Sequence, residues 1–255
     1  MNIRTPLLAA AVAALLSTQS MAADIVEAPP AIPSWTAFYL GAGVGAAWSD
    51  FNTYGNYYSE CGCEYFFDFR DLAYSDSETT FRGIGQLGFD LEVGSGLVLG
   101  AFGDVNFGQQ AGVSNTYHYQ DSYDYDVHDK FSYDLGALWT VGGRVGFGAE
   151  NALFYGLVGY SWADSDSKLS IGCNDGTSQC WRTAKNDGPI SGWTFGGGIE
   201  YKGWMWDALS TSIEYRYTDL DAITATVRDG SDYYRTRVDQ DIQQVNLVFK
   251  YRIGI

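Results

Sequence analysis

Val245-Asn246-Leu247-Val248-Phe249-Lys250-Tyr251-Arg252-Ile253-Gly254-Ile255 is the stretch on which the fold turns. Val245, Leu247, Phe249, Tyr251, Ile253 and Ile255 form one apolar row. Asn246, Val248, Lys250, Arg252 and Gly254 form a second row, mostly polar and cationic. A period of two marks a strand, because successive side chains point to opposite faces. A water-soluble sandwich buries its apolar row and gives its charges to solvent. A barrel in an outer membrane does the reverse, with apolar residues on the lipid and polar ones in the lumen. This strand fits either arrangement, so the rest of the chain must choose.

The start of the chain points to export. Arg4 supplies a positive charge, Pro6 to Leu16 is apolar but too short to cross a bilayer, and Ser20-Met21-Ala22 offers small residues for cleavage. Met1 to Ala22 is therefore expected to be a signal peptide, Ala23 to Ser34 a periplasmic lead, and Trp35 to Ile255 the folded domain. Beyond the signal no run of about 18 apolar residues occurs, so any membrane crossing is by strands. The chain holds 31 Gly, 19 Tyr, 14 Phe and 8 Trp, and Tyr and Trp suit the membrane–water boundary, where one end of the ring is wet. A net charge of −16 excludes nucleic acid as a partner, since that needs a basic footprint.

Eight alternating segments follow: about Thr36–Trp48, Thr79–Glu92, Leu97–Phe107, Ser132–Phe147, Leu153–Ala163, Ser191–Lys202, Leu209–Tyr217 and the terminal strand. The fifth is apolar on both faces, so its register stays open. Links two-to-three, four-to-five and six-to-seven are tight, and the other four are long and polar. That asymmetry, an even strand number and both termini on the short-turn side describe an all-β, eight-stranded antiparallel up-and-down transmembrane barrel, with short periplasmic turns and four long outer loops. Gly83-Ile84-Gly85-Gln86-Leu87-Gly88 matches a dinucleotide-binding pattern, but it lies within an alternating strand rather than at a strand-to-helix turn.

The polar rows predict a charged lumen. Arg82, Arg144, Arg216, Lys250 and Arg252 share the inner side with Asp90, Glu92, Asp104, Glu200 and Glu214. Eight strands enclose little more than side-chain volume, so these groups are expected to pair as a structural charge network rather than line a wide pore. The alternative is a narrow channel or small-solute porin. Four cysteines fall in predicted outer loops; Cys173 and Cys180 are placed to close one loop, while Cys61 and Cys63 leave the overall pairing open. The segment Tyr117–Asp129 holds both histidines, and His118, His128, Asp124 and Asp126 are a candidate haemin or cation site, the alternative being a solvated acidic loop. No catalytic residue, resident metal or cofactor is expected: no nucleophile can be set beside either histidine.

Trp35-Thr36-Ala37-Phe38-Tyr39-Leu40-Gly41, Gly192-Trp193-Thr194-Phe195-Gly196-Gly197-Gly198-Ile199-Glu200-Tyr201 and Glu214-Tyr215-Arg216-Tyr217-Thr218-Asp219-Leu220 resemble small alphaproteobacterial outer-membrane barrels of the opacity-type porin family, related to the OmpA transmembrane domain. The resemblance covers nearly all of the mature chain and is carried by the strands. It implies a Gram-negative outer-membrane location among lipid and lipopolysaccharide, and insertion by the barrel-assembly machinery through the C-terminal strand. It also implies roles in envelope integrity or adhesion through the outer loops, where a host or surface partner would bind. Weak pore activity or haemin binding is implied for some members. Family members commonly end in an aromatic residue; here Ile255 stands last, with Phe249 and Tyr251 nearby.

Overall fold

The computed structural model describes residues 34–58, 75–109, 111–120, 126–174, 179–203, 205–229 and 232–254. Every element among them is a strand: β1 Ala37–Tyr58, β2 Ser75–Val93, β3 Leu97–Gly108, β4 Gly112–Gln120, β5 Asp126–Ala149, β6 Ala152–Asn174, β7 Gln179–Lys202, β8 Leu209–Asp229 and β9 Asp232–Gly254. All pairings are antiparallel, in the order β3-β2-β1-β9-β8-β7-β6-β5-β4, and a β3–β5 pairing closes the ring. The first and last strands meet along their whole length, from Ala37↔Gly254 to Tyr58↔Tyr233. β3 and β4 pair with successive stretches of β5, so these nine strands build eight staves, the number expected from the sequence.

The staves carry an apolar belt on the outside. Phe38, Leu40, Val44 and Trp48 on β1, Phe249 and Tyr251 on β9, Ile213 and Tyr217 on β8, and Trp193, Phe195 and Ile199 on β7 are all exposed. Trp139 and Val141 on β5 continue the belt, as do Val158, Tyr160 and Trp162 on β6. Phe38 to Trp48 rises roughly 25 Å along the barrel axis once strand tilt is allowed for, matching the apolar band of outer-membrane barrels. Just above Trp48, register partners Asp50, Asp241 and Asp219 stand side by side and end the belt. Partial burial, with Asp50 and Asp219 beside it, pushes the Asp241 carboxyl up from its ordinary range.

The strands continue past this line into segments that the sequence suggested were loops. β6 shows why they were hard to read. Its outward positions run Phe154, Gly156, Val158, Tyr160, Trp162 and then Asp164, Asp166, Lys168, with no break in alternation. What changes is the surroundings: the outer face goes from lipid to water, so the outward row becomes polar. On the other strands much of the inward row turns apolar at the same height. Phe51, Tyr133, Leu135, Leu138, Ile190, Leu220, Val227, Val238 and Ile242 pack into one buried cluster inside the outer half of the barrel. Below the line the chain is patterned for lipid; above it, as a water-soluble barrel.

One stave is broken. β3 ends on Gly108, whose φ of 121° lies in the region that favours glycine. β5 answers with a bulge between Leu135 and Leu138, which places Gly136 and Ala137 at the break. On the other side, β2 pairs with β3 only as far as Arg82↔Gly108, although Ser75 to Phe81 remain paired to β1. Among the described residues no ladder joins β2 to β4. Two hydrogen bonds cross the interval: Gly112 N–H donates to Glu78 Oε2 at 2.9 Å, and Phe81 N–H donates to Gln109 Oε1 at 3.3 Å.

Candidate functional site

The inner face of the lower barrel concentrates its ionic chemistry in one connected cluster. Alternation sends Asp90 inward from β2, Asp104 from β3, Arg144 from β5, Glu200 from β7, Glu214 and Arg216 from β8, and Lys250 and Arg252 from β9; all are buried. Glu200 is the hub. It accepts from Arg144 Nη1 at 3.0 Å, Lys250 Nζ at 3.1 Å, Arg252 Nη1 at 2.6 Å and Ser210 Oγ at 2.7 Å. Asp90 holds Arg144 from the other side and accepts from Arg252 Nη2 at 2.7 Å. Glu214 binds Arg216 at 2.7 Å, Lys250 at 3.2 Å and the Tyr155 hydroxyl at 2.6 Å. Asp104 binds Arg216 at 2.7 Å.

Four cations thus meet four carboxylates, and each cation is bonded to two of them. Such balance is what keeps buried ions tolerable, because an uncompensated one is penalised by several kcal/mol. Aromatic rings supply the remaining surroundings. The Arg144 guanidinium lies 4.8 Å from the ring centres of both Tyr39 and Tyr155, Arg216 lies 5.3 Å from Phe102, and Arg252 lies 5.1 Å from Trp35. Room comes from β3: a Cβ at Gly100 would run into the Asp90 carboxylate and the Arg144 side chain. Above the ions a belt of hydroxyls links neighbouring staves, Thr140 to Ser161 at 2.8 Å, Ser161 to Thr194, and Thr194 to Thr218 at 2.8 Å.

Among the residues singled out from sequence, the structure brings together Asp104, Arg144, Glu200, Glu214, Arg216, Lys250 and Arg252. It does not bring Arg82 into the network. Arg82 faces the lumen, but it is four residues nearer the outer end of β2 than Gln86, the register partner of Asp104. Its Nε donates to Thr80 Oγ1 at 3.3 Å, and Nη1 and Nη2 have no partner. Glu92 lies at the periplasmic end, where it accepts from Trp35 N–H at 2.8 Å. Sequence reasoning passed over Tyr39, Tyr155, Phe102 and the hydroxyl belt. Tyr155 was hidden in the strand that is apolar on both faces; Leu153, Tyr155 and Leu157 all turn inward against the charges.

At the outer end, the β4–β5 ladder sets His118 opposite His128, and Asp126 opposite Gln120. The β6–β7 ladder sets Cys173 opposite Cys180, a backbone placement that a disulfide can bridge. Asp124, Cys61 and Cys63 lie outside the described residues. Every carboxylate of the lumen cluster is engaged by a cation, so none is presented as a general base.

The family model for the outer membrane protein β-barrel domain matches residues 8–252. The 31 kDa outer-membrane immunogenic protein of Brucella melitensis biotype 1 is 27% identical over 259 residues, covering 95% of this chain and 98% of that protein. The protein of the same name from Brucella suis biovar 1 matches to the same extent. Among solved structures, the outer membrane protein OprG from Pseudomonas aeruginosa aligns with a TM-score of 0.47 and 11% identity, over 88% of this chain and 100% of that one. A closed ring of strands with its apolar row turned outward, matched to one family model along nearly the whole chain, makes this protein a member of the outer membrane protein β-barrel domain family, located in the outer membrane.

Proposed function

We propose that this barrel is a non-catalytic structural and interaction protein of the cell surface. In this reading its lumen is closed by its own side chains, and its role in envelope integrity or adhesion is exercised by the strands that extend beyond the membrane. The observation that carries the reading is the balanced cluster centred on Glu200, to which strands from every side of the lower lumen contribute. The apolar cluster above supports it, since Phe51, Tyr133, Leu135 and Ile242 pack together inside the outer half of the barrel. Lipid and lipopolysaccharide are the partners of the belt. The barrel-insertion machinery would engage β9, and a host or surface partner the outer ends of the hairpins. The immunogenic character named for the Brucella relatives fits a protein whose outer hairpins are accessible. Reconstituted in planar bilayers, the protein is expected to give low or undetectable steady conductance. A large, stable conductance would replace this reading with that of a small-solute porin.

A second reading, haemin or cation binding at the outer end, is favoured by one observation: His118 and His128 occupy facing ladder positions. It requires a saturable haemin absorbance titration that is lost in the His118→Ala/His128→Ala double variant. A titration unchanged by that double substitution eliminates it.

A further inference from the structure

Arg82 is the exception among the lumen cations. Arg144, Arg216, Lys250 and Arg252 each have two carboxylate partners; Arg82, only 5% exposed, has none, and both of its Nη groups are unpartnered. A cavity of about 110 Å³ lies beside it, lined by Arg82, Asn106, Phe107, Gly108, Gln109, Gly136 and Ala137. Asn106 contributes a second unsatisfied group. Its Nδ2 is committed to the Asp104 carboxylate at 3.1 Å, which leaves its buried Oδ1 as a free acceptor.

The cavity sits where the wall is interrupted. Gly108 ends β3, Gly136 and Ala137 form the bulge of β5, and the ladder between β2 and its neighbour stops at Arg82. Its lining therefore combines inward residues, Arg82 and Asn106, with Phe107, which is exposed on the outer face near the top of the apolar belt. The cavity thus joins the surroundings of the buried Arg82 to the outer face at Phe107.

We propose that this break in the wall is a binding site for a monocarboxylate, held by the Arg82 guanidinium, with any apolar tail lying outward along Phe107. Charge selects the class. Among the described residues the lower cluster is neutral by itself, and Glu78, on the same inner row, is the carboxylate whose charge acts on Arg82 without a hydrogen bond to it, so the site takes at most one further negative charge. Two unpartnered Nη groups on a planar fork match the two oxygens of a carboxylate. A dianionic phosphate would overcompensate close to Asp104 and Glu78. Asn106 Oδ1 is available to a hydroxyl on the ligand or to a water that accompanies it.

The test uses the full barrel folded into nanodiscs, with labelled octanoate and labelled acetate as probes in equilibrium dialysis against empty nanodiscs. One saturable equivalent of octanoate per barrel is expected, weakened roughly tenfold or more in Arg82→Gln, the loss that follows from removing a charged hydrogen-bond donor pair. Displacement by acetate identifies the bare carboxylate as what is bound; resistance to acetate identifies an amphiphile whose tail contributes. Arg82→Gln removes a charge to which no carboxylate is hydrogen-bonded, so it is expected to fold like the wild type. If it does not, Ala137→Leu, which narrows the mouth and leaves the guanidinium, must weaken octanoate binding. Octanoate uptake no greater than in empty nanodiscs, saturable binding unchanged by the variant that folds, or displacement by inorganic phosphate at lower concentration than by acetate would each overturn the proposal.

Discussion

Glu200→Ala is expected to destabilise the folded barrel by about 3–5 kcal/mol, the range for removing one partner from a buried ionic cluster. Three cations, Arg144, Lys250 and Arg252, share Glu200. Without it, Asp90 alone must serve Arg144 and Arg252, Lys250 keeps only Glu214, and the cluster carries a net positive charge. Urea unfolding in lipid vesicles, followed by tryptophan fluorescence and by the heat-sensitive mobility of the folded form, measures the loss. Glu200→Gln should fall between wild type and alanine, because the amide oxygen still accepts from some of the same donors. A change below about 1 kcal/mol for the alanine variant would mean that the cations are solvated as at a surface, where ion pairs contribute little. The closed-lumen reading would then fail together with this prediction.

Val141→Arg is expected to cost about 2–4 kcal/mol in the same assay, the range for a cation on the lipid face near the bilayer midplane. Val141 is exposed on β5, one outward position below Trp139 and well inside the belt. Asp164→Arg is the matched control. It too faces outward, on β6, but beyond Trp162 and above the belt, so its effect should stay within about 0.5 kcal/mol, as for an ordinary surface site. Equal effects at the two positions would reverse the assignment of lipid and water along the strands.

The contrast between those two positions also shows what a sequence pattern can carry. Alternation alone placed Arg144, Glu200, Glu214, Arg216 and Lys250 on one face and Val141, Ile199 and Phe249 on the other, because a strand has only two faces and a period of two. It could not locate the end of the lipid. At Trp162–Ala163–Asp164 the alternation continues unbroken while the outward residue changes from aromatic to acidic, so hydropathy fades just where the strand goes on. Reading apolar rows as lipid-facing therefore ended the strands early, and the outer hairpins looked like loops.

Arg82 marks the other limit. By alternation it is indistinguishable from Arg144: a basic residue on an inner row, flanked by apolar outward neighbours. Its isolation depends on height in the barrel, which follows from the shear between staves, and on a break between β3 and β4 opposite a bulge in β5. The same holds for Tyr39 and Tyr155, whose rings enclose Arg144 from strands far apart in sequence. From sequence alone came the ring of eight alternating staves, its apolar outer face and the ionic composition of its lumen, because each rests on local period and residue type. Which ions meet, that Arg82 meets none, and where the wall opens were decided by the tertiary structure, because register, shear and closure are properties of strands brought together and no single strand encodes them.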